Sequence, residues 1–172
     1  MNLNYVKTLL YAYPHVTALT EQIDDIVLSK ALSSIRDYSP CEEQCEKIIE
    51  LTEQKKTLID FKLKMDKVVK KLNEYELDCL DYKYFKQKAK EYFVDFDASS
   101  RTYFRRQIRI AKKVNSLVEV NGINDEWFVK KCLKMSFFFE LLRRVVSAEN
   151  SLKKKKTVKK NTKQLERQVM TA

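Results

Sequence analysis

One glycine, Gly122, and two prolines, Pro14 and Pro40, in 172 residues leave this chain almost no material for tight turns. Hairpin turns, β-bulges and left-handed loops draw on glycine and proline, so their scarcity argues against strands and for an all-α fold. An apolar fraction of 44% supplies a core. The length suits one domain, or a small domain with an extended helical arm.

Charge is partitioned along the chain. The stretch Ser99 to Val114, SSRTYFRRQIRIAKKV, holds four Arg, two Lys and no acid, giving +6, and Asn150 to Ala172 contributes a further +7. Together they exceed the net charge of +10, so the rest of the chain is slightly acidic. Concentrated rather than spread positive charge is the footprint of a phosphate-binding surface. Within the first stretch Phe104, Ile108, Ala111 and Val118 recur at helical spacing and predict a packed face, while Arg101, Arg105, Arg109 and Lys112 share another.

From the N-terminus, Leu3 to Tyr13 reads as a short apolar-aromatic helix stopped or redirected at Pro14. Val16, Leu19, Ile23 and Ile26 then step by three and four as one face of a second helix. Ser39-Pro40-Cys41-Glu42 carries a helix start: a serine cap, proline at the first helical position, and a glutamate three residues after the cap. The helix it opens runs to about Leu72, with Ile48, Leu51, Leu58, Met65 and Leu72 on a seam that Lys55 and Lys62 interrupt. An antiparallel helical hairpin over residues 1–72 follows, serving as a coiled-coil arm for homodimerisation or partner docking, or packing on the rest of the domain.

Residues 73–121 hold the candidate DNA-binding region. Asn73 and Glu76 repeat the capping box before a helix with Leu77, Leu80 and Tyr84 inward. Lys86 to Phe96 reads as a short helix with Ala89, Tyr92 and Phe93 inward, Asp95 to Ala98 as a turn, and Ser99, or Asp97 in competition, as the cap of the basic helix. Two short helices around a polar turn, the second basic, is the order of a helix-turn-helix whose second helix enters the major groove. The runs LNEYELDCLDYKYF, KAKEYF and SSRTYFRRQIRIAKKV resemble region 4 of the sigma-70 family, and more closely the small ArpU-type regulators of bacteria and phage. The match rests on the Tyr82 to Phe85 aromatic end, the Ser99 to Thr102 start, Arg105, Arg106 and the closing Ala-Lys-Lys-Val, and spans Leu72 to Val114. It departs from that pattern in lacking the turn glycine and in placing Tyr92-Phe93 where a small residue is usual.

The resemblance implies a transcriptional regulator that meets double-stranded DNA, or a region-4-like surface that meets RNA polymerase. The segment before residue 72 does not look like sigma region 2, so a complete sigma factor is not expected. By helical position, Ser99, Ser100 and Thr102 are candidates for phosphate or cap contacts, Arg101 and Arg105 for base edges, and Arg106, Arg109, Lys112 and Lys113 for the backbone. The alternative is a non-enzymatic helical adaptor, phage-related or associated with RNA polymerase.

Gly122 reads as the left-handed stop of the basic helix near Asn121. Residues 122–149 close the core: Asn124 or Asp125 starts a helix with Trp127, Phe128 and Cys132, and Ser136 another with Phe137, Phe138, Leu141, Leu142 and Val145. Residues 150–172 read as a disordered basic tail. Cys41, Cys45, Cys79 and Cys132 show no Cys-x-x-Cys spacing, and His15 is the lone histidine and a surface residue, so neither a metal nor a cofactor is expected. A Ser-His-Asp set, a glycine-rich phosphate loop and a paired-acid pocket are all lacking, which predicts no catalytic residue and no enzyme. The start MNLNYVKTLLYAYP is too short and polar for a signal peptide, and no apolar run reaches membrane length, so a cytoplasmic protein without a membrane partner is expected.

Overall fold

A chain poor in glycine and proline builds helices and joins them with caps and short turns, and the computed structural model, which describes residues 1–33, 41–85 and 100–151, is all-helical, with no strand among those residues. Helix α1 (Leu3–Ala12) opens on Asn2, whose side chain accepts from the Asn4 N–H at 2.9 Å. Pro14 redirects rather than stops the chain. It sits at the start of a single 3-10 turn, Tyr13–His15, where its missing N–H is not needed, and α2 (Val16–Ser33) continues directly.

Helix α3 (Cys41–Val69) runs back along α2. Tyr13 donates to Asp66 at 2.5 Å, Lys62 to Thr17 at 2.7 Å, and Lys55 pairs with Asp24. Each advance on one helix matches an equal retreat on the other, which defines an antiparallel pair in which residues whose numbers sum to 79 lie level. The two lysines that interrupt the seam of α3 therefore reach across to α2, while Leu58, Phe61, Met65 and Val68 turn into the core. Two details differ from the sequence reading. Ile26 is exposed and Val27 takes its place against the core, and α3 ends at Val69 rather than Leu72, because the turn bonds Lys71 N–H to Val68 O and Leu72 N–H to Val69 O close it early.

Helix α4 (Glu74–Leu80) carries a complete capping box: Asn73 accepts from the Glu76 N–H at 2.8 Å and Glu76 accepts from the Asn73 N–H at 3.1 Å. It widens into a π turn at Asp81–Phe85 that buries Tyr84. Helix α5 (Ser100–Val120) ends on Gly122 at φ 78°, with Ile123 N–H bonded to Val118 O at 2.9 Å and Gly122 N–H to Glu119 O at 3.0 Å. These two bonds form a Schellman stop, and Val118 and Ile123 on either side of it are both buried in the core. Asn124 caps the short α6 (Asp125–Trp127), a π turn at Phe128–Cys132 follows, and α7 covers 136–151.

All of these elements share one core. Phe61 of α3 meets Phe138 of α7 edge-on at 5.8 Å, Phe128 meets Phe138 at 6.3 Å, and Tyr5 of α1 stacks on Phe128 at 4.5 Å. Residues of the N-terminal hairpin, of α4 and α5, and of the C-terminal helices thus bury one another. Lys7 pairs with Glu149, and the Met1 ammonium with Glu119, fastening α1 to α7 and to the end of α5. His15 is exposed, as its place beside Pro14 predicts. The expected helix and turn at Lys86 to Ala98, the Ser39-Pro40 cap and the tail beyond Ser151 lie outside the described residues.

Candidate nucleic-acid interface

The two faces of α5 are set by which residues its neighbours can bury. Gln107, Ile110, Ala111, Val114 and Val118 are buried against α1, α3 and α4. At 100° per residue this inner set lies opposite Arg101, Arg105, Arg109 and Lys112, which are all exposed. Those four cations fall within an arc of roughly 80° over about 16 Å of helix. None has an ion pair among the described residues, and no acid interrupts α5 before Glu119.

The packed face differs from the one predicted. Phe104 and Ile108 remain 53% and 48% exposed and border the arginines, whereas Gln107 takes the interior position. Three contacts fix this rotation about the helix axis. The Gln107 side-chain amide donates to the Cys79 carbonyl at 3.1 Å, Lys113 pairs with Glu76 at 2.6 Å, and the Arg106 guanidinium lies over the Tyr75 ring at 5.7 Å. Helix α4 is thus the clamp that aims α5. The 4-3-4 spacing of Gln107, Ala111, Val114 and Val118 carries this face in the sequence, hidden because a glutamine occupies its first place.

The site residues expected from the sequence divide accordingly. Arg101, Arg105, Arg109 and Lys112 come together on the open face. Arg106 is half-buried against Tyr75, and Lys113 is turned to Glu76, so both serve α4. Thr102 is half-buried, Ser100 begins the helix, and Ser99 lies outside the described residues. Tyr75, Glu76, Cys79 and Gln107 are the anchoring residues that the charge pattern alone did not reveal.

The titration of the clamp reports its packing. Burial works against the charged form of Glu76, but the hydrogen bonds from Lys113 and from the Asn73 N–H outweigh it and hold the carboxyl below its ordinary value. Burial and then the contact with Cys79 push the Tyr75 hydroxyl up, with Arg106 pulling the other way, and burial pushes the Cys79 thiol up. A thiol kept protonated in this way is a packing group. Among the described residues no group of three or more His, Cys, Asp or Glu could hold a metal ion, and no helix is long and apolar enough to cross a membrane.

Comparison with protein-family models, with curated proteins and with solved structures returns no match to this chain. The interface is therefore read from its own geometry and charge.

Proposed function

We propose that this protein is a DNA-binding transcriptional regulator that lays the exposed face of α5 against the duplex, in the manner of the second helix of a region-4-like helix-turn-helix. The observation that carries the reading is the row Arg101, Arg105, Arg109 and Lys112, exposed and without ion pairs among the described residues, opposite the buried face of the same helix. Arg101 and Arg105, nearest the N-terminus of α5, are assigned to base edges, and Arg109 and Lys112 to phosphates. Ile108, exposed at the edge of this row, offers an apolar contact of the kind that a thymine methyl accepts. In this reading Glu76, Tyr75 and Gln107 act at one remove, by holding α5 at the right rotation.

Fluorescence anisotropy with duplex DNA over a salt series tests the proposal. The two cations assigned to phosphates, Arg109 and Lys112, predict that log affinity falls with log salt at a slope of roughly −2. Arg101→Ala with Arg105→Ala is expected to cost about 1–3 kcal/mol for each base that an arginine no longer reads. Absence of salt-dependent binding at low ionic strength, or a double variant that binds as wild type, would overturn it.

A further inference from the structure

The hairpin carries a second pair of helical rows that its own core does not use. On α2, Glu21, Asp25, Leu28 and Leu32 step by four, three and four, and all are exposed. On α3, Ile49, Thr52, Lys56, Ile59 and Leu63 step by three and four in the same way, and all are exposed as well. Leu28 is 61% and Ile49 60% accessible. This is the 3.5-residue period of a bundle seam, repeated on helices whose first seams, through Val16, Ile23, Leu58 and Met65, are already buried.

Both rows turn to one side of the hairpin. Each is rotated, toward increasing residue number, away from the positions where the two helices touch, such as Thr17 and Asp24 on α2 and Lys55 and Lys62 on α3. In antiparallel helices that common rotation carries both rows to the same face. By the level rule set by Tyr13 with Asp66, Thr17 with Lys62 and Asp24 with Lys55, Leu28 and Leu32 bracket the level of Ile49. Asp25 and Glu21 bracket the level of Lys56.

We infer that this face binds a second copy of the chain, about a two-fold axis running parallel to the helices, to give an antiparallel four-helix bundle. Such an axis keeps every residue at its own level and lays α2 of one protomer on α3 of its partner. Leucines then meet Ile49 of the partner subunit, and Asp25 and Glu21 meet Lys56 of the partner subunit, twice over. The other two-fold packing, with the axis across the helices, sets α3 on α3 and α2 on α2. It brings lysine toward lysine and the acidic row onto the acidic row, so charge selects the first arrangement. Glu21, Asp25 and Lys56 have no ion pair among the described residues to compete with this pairing.

Sedimentation equilibrium on the full chain, without nucleic acid, tests the inference independently of the DNA-binding reading. Wild type is expected to be dimeric, and Leu28→Glu with Ile49→Glu to raise the dissociation constant about tenfold or more with the helical circular dichroism unchanged, since both positions are exposed. Lys56→Glu alone is expected to weaken the dimer, and Lys56→Glu combined with Glu21→Lys and Asp25→Lys to restore it, a rescue that a purely structural role would not give. A chain that stays monomeric up to roughly 0.1 mM, covered by some other segment or partner, overturns the inference. So does a dimer indifferent to Leu28→Glu with Ile49→Glu, or a charge reversal that fails to restore association.

Discussion

The two longest helices treat charge in opposite ways. On α3, 29 residues long, Lys55 answers Asp24, Lys62 answers Thr17 and Lys64 answers Asp60 one turn away. On α5, 21 residues long, Arg101, Arg105, Arg109 and Lys112 have no such answer among the described residues. Lys55, Lys62 and Lys64 on α3 belong to the fold, because each helps set the register of the hairpin or solvates its edge. Arg101, Arg105, Arg109 and Lys112 meet no acid among the described residues, and a cation row that the fold does not neutralise is available to a ligand that will. The comparison separates residues by what their removal should change: stability for the paired lysines of α3, binding for the open row of α5.

The largest expected effect tests the first half of that division. Phe61 is fully buried between Trp127 and Phe138. Phe61→Ala should cost about 3–5 kcal/mol in urea-induced unfolding, from the forfeited transfer energy and the cavity left behind. Arg109→Ala, which removes a longer side chain from α5, should change the same quantity by no more than about 0.5 kcal/mol. Equal costs for the two would mean that the basic row is part of the fold after all, and the distinction between the helices would fail.

The clamp between α4 and α5 gives a smaller effect with a definite pH dependence. Because the Glu76 carboxyl is held below its ordinary value in the folded chain, its charge adds stability that is complete above the unfolded value and lost as pH falls through the folded one. Glu76→Gln keeps the capping box but weakens the contact with Lys113. Its cost, under about 1 kcal/mol for a partly exposed pair, should be present at neutral pH and vanish on acidification below the ordinary carboxyl range. Denaturation curves of both forms across that interval check the sign. A difference that grows as the pH falls would show that Glu76 works against the clamp.

Much of the fold is legible in the sequence, and the failures have physical causes. The Asn73–Glu76 capping box and the Gly122 stop read correctly because each depends on a few neighbouring residues whose chemistry admits one local answer. Spacing also leads to the antiparallel pairing, although Ile26 and Val27 are one residue apart on similar arcs and only the tertiary contacts choose between them. The rotation of α5 escapes for a more general reason. Phe104 and Ile108 are apolar and Gln107 is polar, so a hydropathy pattern puts the first two inside. A buried carbonyl, that of Cys79, needs a donor, and Gln107 supplies it. That requirement arises from a π turn and a helix nearly thirty positions earlier, beyond the reach of periodicity. At the site, charge clustering finds the row but not which of its members are already engaged, since Tyr75 and Glu76 reach Arg106 and Lys113 only in three dimensions.

The smallest effect sharpens the comparison most. Helices α3, α4 and α6 each open with acids in the first turn, Glu42 and Glu43, Glu74 and Glu76, and Asp125 and Glu126, as the positive end of a helix dipole favours. Helices α1, α2 and α5 have no acid there, and of these three only α5 places a cation, Arg101, in its first turn. A cation at that end costs about 0.3–1 kcal/mol when nothing offsets it, whereas a bound phosphate would be favoured by the same dipole and by the arginine. Arg101→Glu should therefore raise the stability of the free protein by about 0.3–1 kcal/mol while weakening salt-dependent duplex binding. Local rules are broken where function requires it, so the two measurements should move in opposite directions. If Arg101→Glu destabilised the protein, the arginine would have a structural partner, and α5 would join α3 as a helix whose charges serve the fold.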